Sequence, residues 1–250
     1  MMRFRRLLLA ALLSVAVGPA VSAELLVSAA SSLSNAFREL AGQYQAQNPD
    51  LQVLTNFGAS DGVLRQIIQG APSDVFASAD QKAMDEAVAA GVIDASSRRN
   101  FARNEVVLIV PADNPSGIQS LADLHKAQVR RVAFGNPDSV PVGRYTRAAL
   151  EHSGDWLAVH AREILGQNVR QVLSYVERGE VDAGFVFATD AALMKGKVIV
   201  VQTLATPVPV VYPIARVQTD HASDPAQGFI DFVLSNAGQA VLARYGFTRP

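Results

Sequence analysis

Cysteine is absent from these 250 residues, and histidine occurs only four times. Without cysteine the chain has no disulfide, no thiolate nucleophile and no Cys-ligated metal. His125, His152, His160 and His221 are scattered, with no i, i+4 pair and no HExxH spacing, so no zinc-type ligand set is written in them. Charge of one sign is lacking too: 22 basic and 23 acidic residues leave a formal charge of −1. Such a chain does not attract nucleic acid or an anionic membrane by bulk charge. If it binds an anion, a local set of donors must do so. Long apolar runs are also missing. The stretch Leu7 to Val17, broken only by Ser14, is shorter than the about 20 residues a membrane-spanning helix needs.

What is present begins with a targeting segment. Arg3, Arg5 and Arg6 precede that apolar run, and Val21-Ser22-Ala23 supplies the small residues of a cleavage site. Residues 1–23 are therefore read as a signal peptide cleaved after Ala23, so the mature chain is expected to be exported. The remainder is long enough for one large domain or two lobes with their own cores. Removing the leader's three arginines makes it more acidic than the whole chain.

Strand-like and helix-like segments alternate along the mature chain. Leu25-Leu26-Val27 leads into a helix from about Ser32 to Gln47, and Leu51 to Phe57 into a helix from Asp61 to Gln69. Asp74 to Ser78 precedes a helix around Gln81 to Ala90. A second series starts at Glu105 to Val110. It continues with strands at 131–134, 183–187, 198–201 and 210–216, and helices at 143–152, 169–178, 225–235 and 238–245. This order predicts an α/β fold with mostly parallel sheets. No internal repeat or disordered linker interrupts it, so two lobes would be joined by strands.

Four strand-to-helix turns carry small polar residues or an uncapped backbone: Ser28 to Leu33, Phe57 to Gly62, Val140 to Gly143, and Gln167 to Arg170. A helix N-terminus has unpaired N–H groups and partial positive charge, so several converging starts can solvate a dianion with neutral donors. Taken one at a time, serines in such places are ordinary N-caps.

The segment Val27-Ser28-Ala29-Ala30-Ser31-Ser32-Leu33-Ser34-Asn35-Ala36-Phe37 resembles the opening motif of periplasmic molybdate-binding proteins. Gly70 to Asp80, Gly135 to Tyr145, Gly184 to Asp190 and Arg244-Tyr245-Gly246-Phe247 resemble further motifs of that family, in order along nearly the whole mature chain. The resemblance implies a two-lobed, type II periplasmic-binding-protein fold with the ligand in the cleft. One lobe would hold residues 24–105 with 206–250, the other residues 106–205. It also implies capture of molybdate, and of the equally shaped and charged tungstate, for delivery to the membrane permease of an ABC importer. The protein would work as a monomer, without cofactor and without catalysis.

Carried over by position, the family's ligand hydroxyls fall on Ser32 and Ser60, and its backbone donors on those serines, Val142 and Val169. One position departs from the pattern. Many members carry a ligand-contacting tyrosine where this chain has Phe187, which would line the cleft and donate nothing. Ser31 is the candidate replacement donor.

Two alternatives stand beside this reading. Gly58-Ala59-Ser60-Asp61-Gly62 fits the G-x-S-x-G elbow of an exported serine esterase, with Asp182 or Asp190 and then His221 in triad order. The other keeps the fold and changes the ligand to sulfate, phosphate or an organic solute, with Asp61 the nearest carboxylate. Arg65, Arg144 and Arg170 lie on the expected helices and would face solvent.

Overall fold

A computed structural model describes residues 23–218 and 224–250, with the backbone alone at residue 224. His221 and residues 1–22 of the leader lie outside the described residues. The strands are β1 (Ala23–Ala30), β2 (Leu51–Gly58), β3 (Val75–Ala77), β4 (Arg99–Asn104), β5 (Val106–Pro111), β6 (Val132–Gly135), β7 (Glu163–Gly166), β8 (Ala183–Phe187), β9 (Val198–Thr203) and β10 (Val210–Arg216). The α-helices are α1 (Ser34–Gln47), α2 (Ser60–Ile68), α3 (Gln81–Ala89), α4 (Pro141–Ser153), α5 (Trp156–His160), α6 (Val169–Glu177), α7 (Ala188–Leu193), α8 (Asp224–Leu234) and α9 (Asn236–Arg244). A 3-10 turn at Ser31–Leu33 precedes α1.

Two five-stranded sheets share one plan, giving the two-lobed type II α/β fold. The first runs β2-β1-β3-β10-β4 and the second β7-β6-β8-β5-β9. In the first, β1 pairs in parallel with β2 and β3, while β10 is antiparallel to β3 and β4. In the second, β6 pairs in parallel with β7 and β8, while β5 is antiparallel to β8 and β9. Each antiparallel insert, β5 or β10, is the first strand after the chain crosses from the other sheet. Glu105 alone separates β4 from β5, and residues 204–209 separate β9 from β10.

Burial explains why these segments take these places. Every residue of β5 and of β8 is buried, as expected for strands covered on both faces. Helix α6 buries Val169, Val172, Leu173 and Val176, an i, i+3, i+4, i+7 stripe laid on the second sheet. On the first sheet, Phe37 of α1 packs at a tilt against Phe101 of β4 and edge-on against Phe229 of α8, with ring centroids 5.6 and 6.0 Å apart. The C-terminal helices thus close the core begun by the first. Among the described residues no helix is long and apolar enough to cross a membrane.

The parallel strands β1, β2, β3, β6, β7 and β8 all end where a helix or helical turn begins. In open α/β sheets, the carboxyl edge is where ligands bind. Both such edges meet at one cleft.

Candidate anion-binding site

The cleft contains a small cavity lined by Ser31, Ser32, Ser60, Val142, Val169 and Phe187. Ala30, Gly58, Ala59, Ala79, Val140 and Pro141 complete its wall. All six residues singled out from the sequence therefore face one space, three from each sheet's side. No side chain of this wall carries a charge.

The local sequence decides which N–H groups are left over. The residues before three of the helical starts are Ala30, Ala59 and Val140, whose side chains cannot cap. In α2 the first helical bond runs from the Val63 N–H to the Ala59 carbonyl, so the earlier amides have no partner within the helix. In α4 the first residue is Pro141, which has no N–H, so Val142 supplies the first amide. Helix α6 does have a cap. Asn168 Oδ1 accepts from the amides of Arg170 and Gln171 at 3.0 Å each, passing over Val169 at the first position. The capping thus skips the amide beside the cavity.

Ser32 and Ser60 are not N-caps. Ser60 is the first residue of α2 and fully buried, and its Oγ accepts the Ala79 N–H at 3.0 Å. An amide can only donate, so the Ser60 proton must be directed elsewhere. Ser32 Oγ lies 3.1 Å from the hydroxyl of Tyr212, a residue of β10 with no exposed surface. Asn104 Nδ2, at the end of β4, donates to the same hydroxyl at 3.2 Å and to Thr189 Oγ1 at 2.8 Å. Phe187 is 1 % exposed, its ring 5.7 Å from that of Tyr212 and 6.4 Å from that of Tyr145. The sequence reading had not singled out Tyr212, Asn104 or Thr189. The available signal was a tyrosine inside the apolar run 210–216, because a buried phenol needs a partner.

Arg144 and Arg170 do not face solvent as expected from their helical positions. Arg144 on α4 reaches across the cleft and donates to both oxygens of Asp61, at 2.7 and 2.9 Å. It also donates twice to Asp80 Oδ2, at 2.7 and 2.9 Å. Arg170 on α6 donates to Asp190 of α7 and, across the cleft, to Asn35 Oδ1 at 2.9 Å and the Ser32 carbonyl at 3.3 Å. The solvent expectation fails because both guanidinium groups find carboxylates or carbonyls that are otherwise deprived of water. Arg65 is exposed. Asp61, weighed as an acceptor for a protonated ligand, is instead neutralised by Arg144.

Among the described residues no hydrolytic triad is assembled around Ser60. Among the described histidines, His125 pairs with Asp155 and His160 with Glu163, and these and His152 are exposed and away from the cavity wall. Asp190 is engaged by Arg170. Asp182 binds Ser116 and the amides of Arg130 and Arg131. His221 is outside the described residues.

Residues 25–248 match the model of a family described as bacterial extracellular solute-binding protein. The chain is 36 % identical over 235 residues to the molybdate-binding protein ModA of Mycobacterium bovis, covering 93 % of this chain and 88 % of that one. It is 34 % identical over 232 residues to ModA of Escherichia coli K12, covering 89 % and 88 %. Among solved structures, the periplasmic molybdate-binding protein of Azotobacter vinelandii superposes with a TM-score of 0.76 at 25 % identity. That likeness covers 90 % of this chain and 99 % of the other.

Proposed function

The chain belongs to the bacterial extracellular solute-binding protein family, and on that premise we propose that it captures molybdate and hands it to an ABC importer. The observation that carries this reading is the cavity wall itself. It offers Ser32 and Ser60 hydroxyls and first-turn amides, with neither cation nor carboxylate. A fully ionised tetrahedral oxyanion accepts hydrogen bonds on every side and donates none, so it suits such a wall. A protonated phosphate would bring a donor, and no carboxylate of the wall receives it. Tungstate, alike in shape and charge, occupies the same place, while the smaller sulfate leaves donors unreached.

In this reading Ser32, Ser60, Val142 and Val169 are the donors, with Ser31 a further hydroxyl and Phe187 the apolar floor. The lobes are residues 24–105 with 206–250, and 106–205; the strand membership of the two sheets supports that division. Closure of the lobes traps the anion, and a membrane permease reads the closed surface. The protein acts as an exported monomer whose leader ends at Ala23, and it carries out no reaction.

Titration calorimetry of the mature protein tests this. Molybdate and tungstate are expected to bind tightly, sulfate and phosphate weakly or not at all, and simple esters to be left intact. Ser31→Ala is expected to weaken molybdate binding if its hydroxyl substitutes for the tyrosine missing at Phe187. Ester hydrolysis that disappears in Ser60→Ala, without oxyanion binding, would overturn the proposal.

A further inference from the structure

We infer that Tyr212 is a positioning residue that points the Ser32 hydroxyl proton into the cavity, an inference that rests on the oxyanion reading of the site. The direction follows from a chain of bonds that can be ordered in only one way. The Glu105 N–H donates to Asn104 Oδ1 at 2.9 Å, which identifies that atom as the oxygen and the other as the amide nitrogen. The Asn104 amide nitrogen therefore donates, to Thr189 Oγ1 and to the Tyr212 hydroxyl oxygen. Tyr212 now holds one accepted bond and one proton to place. Its side chain is fully buried, and its other hydroxyl partner is Ser32 Oγ. Were Ser32 to donate to Tyr212 instead, the phenolic proton would be buried without an acceptor, at the usual penalty for an unsatisfied donor. So Tyr212 donates to Ser32, and Ser32 must donate elsewhere.

Ser32 lines the cavity, and an anion there is the acceptor it meets. The arrangement matches the other serine: the Ala79 amide fills the accepting side of Ser60, as Tyr212 fills that of Ser32. Both hydroxyls are thereby oriented before a ligand arrives. The phenol cannot swing away, because Phe101, Phe187 and Phe247 hold its ring at centroid distances of 6.3, 5.7 and 5.5 Å. Burial, followed by the charge of Asp190, pushes the Tyr212 hydroxyl well above the ordinary range of a phenol, so the proton is retained at any working pH.

The test is a double-mutant cycle in mature protein, read by calorimetry with sodium molybdate, with thermal melts of the ligand-free variants as the check on folding. Tyr212→Phe keeps the ring and removes the hydroxyl. It is expected to weaken binding about five- to tenfold, the range of one hydrogen bond. In a Ser32→Ala background the same change is expected to cost almost nothing, since the group it directs is gone. A loss through packing alone would instead be equal in both backgrounds. If Tyr212→Phe does not fold, Asn104→Asp carries the cycle. It puts a carboxylate where the amide donor stood, so the phenol donates there and accepts from Ser32, and it is expected to weaken binding by at least about a twofold larger factor with Ser32 present than without it. Unchanged affinity, or the same factor in both backgrounds, overturns the inference and leaves the oxyanion reading standing. A wild-type protein that binds neither molybdate nor tungstate ends both.

Discussion

Asp190 shows what a single residue contributes when its neighbours are incompletely matched. It has no exposed surface; one oxygen takes the Arg170 bond, and the other, Oδ2, has no hydrogen-bond partner among the described residues. Burial pushes its carboxyl up to about 6, against the pull of the Arg170 charge and hydrogen bond. The folded form therefore holds the proton more tightly than the unfolded chain, where the ordinary value is 3.8. The resulting stability is fully present below about pH 4 and is lost as pH rises through about 6. The total is on the order of 3 kcal/mol. Urea melts between pH 4 and 7 are expected to show this slope in the wild type and a flatter profile in Asp190→Asn. Identical profiles would mean that another group titrates. The sequence displayed Asp190 as the last residue of a family-like motif and as an acid in triad order. Its burial and its pairing with Arg170 depend on α6 and α7 packing together, which no local pattern reveals.

At the scale of elements, legibility followed length and burial. The apolar runs of β5, β8 and β10 and the stripe of α6 stand out because their packing demands a pattern. The strands β4 and β7 were not expected, and both lie at the edges of their sheets. β4 reads Arg-Asn-Phe-Ala-Arg-Asn, the polar dress of an edge, and β7 is only four residues long. Helices α5 and α7, of five and six residues, are too short to show a period. The helix starts were legible, but what each serine does there was not, because the partners Ala79 and Tyr212 lie 19 and 180 residues away. Gly143 tests the start of α4. A Cβ there would lie 1.9 Å from the Gly135 carbonyl oxygen and 2.6 Å from its carbon, both rigid backbone. In an exposed helix, alanine in place of glycine gains about 1 kcal/mol. Here Gly143→Ala is expected to cost about 1–3 kcal/mol in a thermal or urea melt, as overpacking does. It is also expected to weaken molybdate binding, since the Val142 amide moves with the turn. A stabilised variant with unchanged affinity would show that this contact is soft.

For the whole molecule, the point is that one topology used twice brings two carboxyl edges face to face. The strand order repeats without any repeat in sequence, because sheet order depends on which segments are buried and on the crossovers, not on residue identity. The resemblance to molybdate binders conveyed the fold, but the ties across the cleft become visible only in three dimensions. Arg144 is the strongest of them. Its guanidinium is shared by Asp61 and Asp80, whose side chains are 7 and 5 % exposed, and its own is 17 % exposed. Under the proposed closure such a cluster exists only while the lobes are together, and on opening water reaches all three groups. Removing the cation would leave two carboxylates facing each other in the closed form and little changed in the open one. Breaking a buried ion pair from one side costs about 3–5 kcal/mol, less here because the cluster is near the surface. Arg144→Ala is therefore expected to bind molybdate about ten- to a hundredfold more weakly, chiefly through faster release. Its complex should also scatter X-rays as a more open particle than the wild-type complex. Because the deficit is one of charge, Asp61→Asn and Asp80→Asn introduced alongside Arg144→Ala should restore part of the affinity. Wild-type release rates in Arg144→Ala would mean that the hinge closes without this tie, leaving Arg170 and the anion itself to hold the lobes together.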